Sequence, residues 1–126
     1  MLYSVSPVLL VRDVTAAAHY WRDALGYRVG QFYGDPPAFV IVARDRMHIM
    51  LKQAADPAHI VPHNATTPGI WDAYFYTDDV DALFTELKDR GAIIDYELCD
   101  QFYGCREFGI RTPDGHDIAF GQEIKP

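Results

Sequence analysis

Two segments of the chain carry apolar residues at the spacing of an amphipathic helix. The segment from Asp13 to Gly26 has them every three or four positions, and the segment from Asp79 to Gly91 has them at i, i+3, i+4 and i+7. Each segment begins with an aspartate, a residue type that caps helix N-termini, and ends at a glycine, which is favoured just past a helix C-terminus. The pattern therefore predicts two helices with matching ends.

Short runs rich in β-branched and aromatic residues flank both predicted helices. One run precedes each helix and a pair of runs follows it, and the turn Pro113-Asp114-Gly115 inside the later pair is a strong hairpin signal. These runs predict strands at 6–11, 39–43, 47–51, 72–77, 107–112 and 117–121.

The two halves of the sequence repeat each other. Asp13-Val14 matches Asp79-Val80, and the run that begins at Phe39 matches the run that begins at Phe108. The predicted order is one strand, one helix and three strands, twice. We therefore expect a single domain over 1–126, with module one at 1–52, a proline-containing connector at 53–70 and module two at 71–126.

Side chains alternate between the two faces of a strand, so each predicted strand contributes to two faces. One face is entirely apolar, as expected beneath the helices: it carries Leu9, Val11, Ile49, Leu51, Ala73, Phe75, Ile118 and Phe120. The opposite face mixes tyrosines with polar side chains such as His48, Asp72 and Asp117. Such a face is typical of a small-molecule cleft, and a partly buried dimer face is the alternative.

Composition narrows the class of ligand. The 126 residues include 18 acidic and 11 basic side chains, for a formal net charge of -7. This charge repels nucleic acid and anionic lipid, so we expect neither as a partner and favour a cationic or neutral small molecule. The apolar runs are too short to cross a bilayer. The two cysteines, Cys99 and Cys105, match no zinc or redox spacing. We therefore expect a cytoplasmic protein with reduced thiols.

The duplicated unit, the segment Pro7-Val-Leu-Leu-Val-Arg-Asp-Val14, the pair Tyr20-Trp21 and the hairpin from Arg106 to Gly115 resemble one known family. It is the glyoxalase / bleomycin resistance / extradiol dioxygenase superfamily, also called vicinal oxygen chelate proteins, and within it the sequence is most similar to the bleomycin resistance proteins. The resemblance implies an α+β fold in which two tandem βαβββ modules form a curved mixed sheet around a cleft, in a homodimer.

The same resemblance implies where a divalent metal would bind. The superfamily's metal enzymes hold their metal at positions that correspond here to Ser6, Met50, Asp72 and Ala119. Methyl and thioether groups cannot supply the oxygen or imidazole ligands that such metals need. We therefore expect no metal, no cofactor and no catalytic residue.

The preferred interpretation is a metal-free protein that binds or sequesters a small, cationic or aromatic compound, since aromatic side chains can stack on the ligand and acidic ones attract it. The expected ligand-binding residues are Phe32, Tyr33, Asp35, His48, Asp72, Tyr74, Tyr76, Phe102, Tyr103 and Arg106.

Other readings of these residues stay open. The loop aromatics could pack on the core, and Tyr74 and Tyr76 could be dimer contacts. An enzyme of the superfamily, a lyase, isomerase or dioxygenase, could use a non-standard metal site made of His48, Asp72 and Asp117, or His48 and Asp72 as acid and base. A third interpretation is a domain that mainly dimerises.

Overall fold

Both helices form where the periodicity predicts them. In the computed structural model, which describes residues 1–124, helix α1 spans Val14–Asp23 and helix α2 spans Val80–Arg90. The side chain of Asp13 accepts hydrogen bonds from the first free backbone N–H groups of α1, and Asp79 does the same for α2. Helix α2 ends on Gly91 with a φ of 93°, the left-handed conformation that glycine adopts without strain.

All six predicted strands are present, with bounds that differ by a few residues, and two further strands complete the count of three after each helix. The two further strands are the second, which has only two residues, and the sixth, for which the sequence pattern predicts no bounds. The strands are β1 (Val8–Val11), β2 (Arg28–Val29), β3 (Phe39–Arg44), β4 (Met47–Gln53), β5 (Ala73–Tyr76), β6 (Ile94–Asp100), β7 (Cys105–Arg111) and β8 (Asp117–Glu123).

The chain divides into two compact units, Met1–Ile60 and a second that begins at Val61. The first has the strand order β1-β4-β3-β2 and the second β5-β8-β7-β6. In each, the first strand pairs in parallel with the last strand of its module and the other pairs are antiparallel. The fold is thus two tandem βαβββ modules of the α+β class, and each module has its own four-stranded mixed sheet.

Each helix packs on the sheet of its own unit and covers the apolar face. Of the eight residues predicted for that face, seven are buried and Ala73 is partly buried. Trp21 on α1 is 1% exposed, as expected for a core residue. The predicted connector is not a plain loop: it contains two 3-10 turns, Pro57–His59 and His63–Ala65. Within residues 1–124, no helix is both long enough and apolar enough to span a membrane.

Candidate functional site

Glu107, in the middle of β7, is a fully buried acidic side chain, 0% exposed. Three tyrosine hydroxyls donate hydrogen bonds to it. Tyr74 donates to Oε1 over 2.9 Å, Tyr96 donates to Oε2 over 2.5 Å, and Tyr103 also donates to Oε1. A buried carboxylate is costly unless it is hydrogen-bonded, and these three donors supply that compensation. We call these four residues the Glu107 cluster.

Two glycines within the sheet make room for two of the tyrosine rings. Gly121 on β8 pairs with Glu107, and Gly109 on β7 pairs with Tyr96 on β6. A Cβ atom at Gly109 would lie 2.7 Å from Cδ1 of Tyr96, and one at Gly121 would lie 2.7 Å from Cζ of Tyr74. A glycine inside a strand often marks such a close approach. The two rings therefore lie directly on the sheet backbone, which directs their hydroxyls to Glu107.

The protonation of the tyrosines agrees with their role as donors. Burial raises the pKa of Tyr96 and of Tyr103 above the ordinary value, and the hydrogen bond to Glu107 raises each further. Burial also raises the pKa of Tyr74, followed by its hydrogen bonds to Cys105 and Glu107. All three hydroxyls thus keep their protons at neutral pH and point them at the carboxylate.

A pocket of about 350 Å³ opens beside the Glu107 cluster, entirely within the second unit. Trp71 contributes one aromatic wall, and its Nε1 donates a hydrogen bond of 3.0 Å to the Tyr96 hydroxyl. Three aromatic side chains and three carboxyl groups take part in the lining. The lining residues are Gly69, Trp71, Asp95, Tyr96, Gln101, Tyr103, Glu107 and Asp117.

One guanidinium organises two of those carboxyl groups. Arg111 binds Asp117 through two hydrogen bonds, of 2.7 Å from Nε and 3.1 Å from Nη2, and its Nη2 lies 3.3 Å from Oδ1 of Asp95. The hydrogen bonds to Asp117 raise the pKa of Arg111, so it stays charged. With Glu107 included, the pocket lining holds three carboxyl groups and no lysine or arginine, and the guanidinium of Arg111 pairs with two of the three, so the pocket is acidic.

Six of the ten predicted ligand-binding residues lie in the second unit, and two of them, Tyr74 and Tyr103, belong to the Glu107 cluster. Tyr76 is exposed and its ring lies 5.0 Å from that of Tyr74, while Phe102 is 98% exposed and contacts Tyr103 edge-on. Asp72 and Arg106 lie apart from the cluster and are engaged elsewhere.

Arg106 and Glu107 are consecutive strand residues and therefore face opposite sides of the sheet. The guanidinium of Arg106 pairs with Asp81 on α2 and with Asp100, both at 3.0 Å. The acidic neighbour, Glu107, is the one that faces the tyrosines.

The other four predicted residues, Phe32, Tyr33, Asp35 and His48, lie in the first unit. Tyr33 pairs with Phe39 through a β-bridge that closes the loop containing Asp35, and Phe32 is partly buried beside it. His48 is exposed on β4, with Nδ1 3.2 Å from the carbonyl oxygen of Arg46.

The predicted ligand-binding set lacks seven residues of the site, and one of them, Asp117, is named only in the alternative metal site. The seven are Gly69, Trp71, Asp95, Tyr96, Gln101, Glu107 and Asp117. One signal for the site was present in the sequence: the glycines at 109 and 121 each interrupt a strand that is otherwise rich in large side chains. The pairing of Gly121 with Glu107 depends on the strand register, which only the tertiary structure shows.

The side chains at the positions implied for a metal do not fit one. Asp72 is the only carboxylate among them, and both of its oxygens accept backbone hydrogen bonds: Oδ1 from the N–H of His63 over 3.0 Å and Oδ2 from that of Asp117 over 3.1 Å. Ala119 offers no donor atom. Over residues 1–124, no group of three His, Cys, Asp or Glu side chains is arranged to hold a metal ion.

Solved structures share this fold over almost their full length. The chain is similar to TioX from Micromonospora sp. ML1, with a TM-score of 0.76 and 18% identity over 97% of this chain and 99% of that one. It is also similar to a glyoxalase/bleomycin resistance protein/dioxygenase from Alicyclobacillus acidocaldarius, with a TM-score of 0.78 and 15% identity over 96% and 91% of the two chains. A lactoylglutathione lyase from Agrobacterium tumefaciens gives a TM-score of 0.68 and 22% identity over 95% and 92%.

At these identities the structural likeness shows the fold alone. A comparison with curated protein sequences finds no match. The model of the Glyoxalase/Bleomycin resistance protein/Dioxygenase superfamily matches residues 5–120, which is nearly the whole chain. The protein therefore belongs to the glyoxalase/bleomycin resistance protein/dioxygenase superfamily.

Proposed function

We propose that this protein binds a small cationic aromatic compound without a metal, in the pocket of the second unit. The observation that carries the proposal is the buried Glu107 carboxylate beside a pocket lined by Trp71, Tyr96 and Tyr103. Aromatic faces attract cations and stack on planar rings, and a carboxylate in a water-poor surrounding favours a positive charge over a neutral group.

Charge supports the same class of ligand. The chain has a net charge of -7, and Asp95 and Asp117 add negative potential to the pocket itself, which the pairing of both with Arg111 offsets in part. An acidic surface raises the local concentration of a cationic compound before it binds. Sequestration of a ligand needs no catalytic side chain. This agrees with the hydrogen bonding of Glu107 and Asp72, whose carboxylates already accept hydrogen bonds from tyrosine hydroxyls and from backbone N–H groups respectively.

The donor chemistry at Ser6, Met50, Asp72 and Ala119 favours this function over a metal-dependent lyase or dioxygenase of the superfamily. Metal analysis of protein purified without chelators separates the two directly. We expect less than stoichiometric zinc, nickel, iron and manganese. A stoichiometric, tightly held metal would contradict the binding function as proposed.

We further propose that the protein acts as a cytoplasmic homodimer that can confer resistance to the compound it binds. Apolar side chains near the N-terminus are exposed, among them Leu2, Tyr3, Val5 and Val8, and a second copy of the chain is a suitable cover for them. Light scattering coupled to size exclusion tests the dimer, and a mass of 14.3 kDa in solution would contradict it.

Fluorescence titration tests binding. Trp71 lies in the pocket and Trp21 lies in the core of the first unit, so quenching that disappears in Trp71→Phe reports the pocket alone. We expect saturable quenching by bleomycin or another cationic aromatic compound and none by benzoate. Tyr103→Ala removes an aromatic wall and is expected to weaken binding about tenfold. No saturable change with any cation would contradict the proposal.

A further inference from the structure

The three tyrosines of the Glu107 cluster are not held equally. Tyr74 and Tyr96 lie on strands, with their rings against Gly121 and Gly109, and the Tyr96 hydroxyl also accepts the hydrogen bond from Trp71. Both rings are therefore fixed by the sheet, and neither hydroxyl can move away from Glu107 unless the sheet itself is disturbed.

Tyr103 is held differently. It lies on the turn between β6 and β7, is 43% exposed, and follows Phe102, which is 98% exposed. Gly104, the next residue, has a φ of 86°, and no atom lies within 4 Å of the place where its Cβ would be. Its carbonyl oxygen accepts a hydrogen bond of 2.8 Å from the N–H of Ile124, so the backbone of the turn is anchored there. Because Tyr103 is partly exposed and has no glycine of the sheet beneath its ring, it is the donor to Glu107 whose side chain can rotate away while the sheet stays intact.

The position of the Tyr103 hydroxyl decides access to the carboxylate. Oε1 of Glu107 accepts hydrogen bonds from both Tyr74 and Tyr103, which fills the two lone pairs of that oxygen. Tyr103 and Glu107 both line the pocket, whereas Tyr74 does not. Because both lone pairs of Oε1 are occupied, a ligand in the pocket can donate to this oxygen only by replacing a hydroxyl, and that of Tyr103 is the one on the pocket lining.

We propose that Tyr103 is a displaceable donor that sets the ligand class of this pocket: the ligand carries a protonated nitrogen, an amidinium or ammonium attached to an aromatic ring, and its N–H takes the place of the Tyr103 hydroxyl on Glu107. This inference rests on the proposed binding function. A buried carboxylate that loses a donor must gain another, and a cationic N–H forms a stronger hydrogen bond to it than a phenol does. A neutral amide gains less, and a carboxylate ligand is repelled.

The experiment compares three probes of equal shape: benzamidine, which is cationic, benzamide, which is neutral, and benzoate, which is anionic. Calorimetry and Trp71 quenching measure their affinities for the full-length protein. The deciding variant is Tyr103→Phe, which keeps the ring and removes the hydroxyl. Because benzamidine then no longer competes with a phenol, we expect it to bind about tenfold more tightly, whereas benzamide changes by less than about threefold. Tyr20→Phe, which removes a hydroxyl on α1 of the first unit and leaves the lining of the pocket intact, is the matched control and is expected to change neither affinity.

Glu107→Gln gives an independent readout. With this variant we expect the preference for benzamidine over benzamide to disappear. If Glu107→Gln does not fold, as judged by its circular dichroism and melting curve, Tyr103→Phe alone decides.

Weaker or unchanged binding of benzamidine by Tyr103→Phe would overturn the inference, because the hydroxyl would then contact the ligand or take no part. If cationic aromatic compounds quench Trp71 equally in the wild type, Tyr103→Phe and Glu107→Gln, the binding function stands and the displaceable donor is wrong. If no cationic aromatic compound quenches Trp71 in the wild type or Tyr103→Phe, the binding function fails and this inference fails with it.

Discussion

Gly121 lies directly beneath the ring of Tyr74, so close that a Cβ at position 121 would come within 2.7 Å of Cζ and closer still to the hydroxyl. The hydroxyl of Tyr74 in turn reaches Oε1 of Glu107, the residue that pairs with Gly121 across β7 and β8. A missing side chain on one strand thus positions a hydrogen-bond donor for a buried carboxylate on the next.

The first prediction is that Gly121→Ala destabilises the protein by about 2 kcal/mol, because the added methyl group must displace the Tyr74 ring from a packed position. Urea unfolding measures the loss. Tyr74→Leu removes the clash, so the same glycine substitution should cost less than about 0.5 kcal/mol in that background. Equal costs in the two backgrounds would show that the ring and Gly121 are not coupled.

The second prediction concerns the carboxylate itself. In Glu107→Gln the side-chain amide presents N–H groups where a tyrosine hydroxyl now donates, so at least one buried donor loses its acceptor, at a cost of about 1–3 kcal/mol in the free energy of unfolding. Glu97→Gln is the matched control, since Glu97 pairs with Lys88 at the surface and such pairs contribute less than about 1 kcal/mol. A Glu107→Gln variant as stable as the control would mean that the cluster does not support the fold.

The third prediction follows from His116, which is buried in the second unit with Nδ1 3.2 Å from the hydroxyl oxygen of Thr112. Burial lowers the pKa of His116 below 6.5, and the nearby carboxylates of Asp72, Asp114 and Asp117 offset this only in part. The unfolded chain therefore binds more protons than the folded one just below pH 6.5, so this contribution to stability is complete above that pH and is lost as the pH falls.

Unfolding free energies measured from pH 7 to pH 5 check this. His116→Asn keeps a polar partner for Thr112 and is expected to flatten the decline, whereas the exposed His19→Asn should leave the slope unchanged. A wild-type slope retained in His116→Asn would assign the decline to other groups.

The fourth prediction tests the repeated helix ends. Asp13→Ala and Asp79→Ala each remove the side chain that accepts backbone N–H groups at a helix start, and each should cost about 1 kcal/mol in thermal or urea unfolding. Asp23→Ala, at the exposed last residue of α1, is the control and should cost less than about 0.5 kcal/mol. A similar effect of all three would indicate general surface charge instead of capping.

Much of the fold could be predicted because its signals are local. Apolar spacing, a capping aspartate and a terminal glycine act within one or two helical turns, and strand alternation assigned seven of eight residues correctly to the buried face. Two strands could not be predicted, and each has a physical reason. Strand β2 has only two residues, and the pairing of β6 with β7 is interrupted by register shifts. Bulges of this kind break the alternation on which the prediction relies.

The candidate site was predictable only in part. Tyr74 and Tyr103 were among the expected residues because aromatic side chains on a mixed face or beside a glycine stand out in the sequence. Glu107 does not stand out in the sequence, because it adjoins Arg106. Alternation along the strand shows that these two side chains face opposite sides of the sheet, but it does not show which side each one faces.

The sequence by itself determined the duplicated strand and helix order, the ends of the helices and the apolar face of each sheet, because these depend on interactions between residues close in the chain. Only the tertiary structure decided that β7 pairs with β8 in the register that sets Glu107 opposite Gly121, and that Tyr74, Tyr96 and Tyr103 converge on one carboxylate. Strand register is fixed by packing between residues distant in the chain, and a shift of one residue would turn Glu107 to the helix side and Arg106 toward the tyrosines.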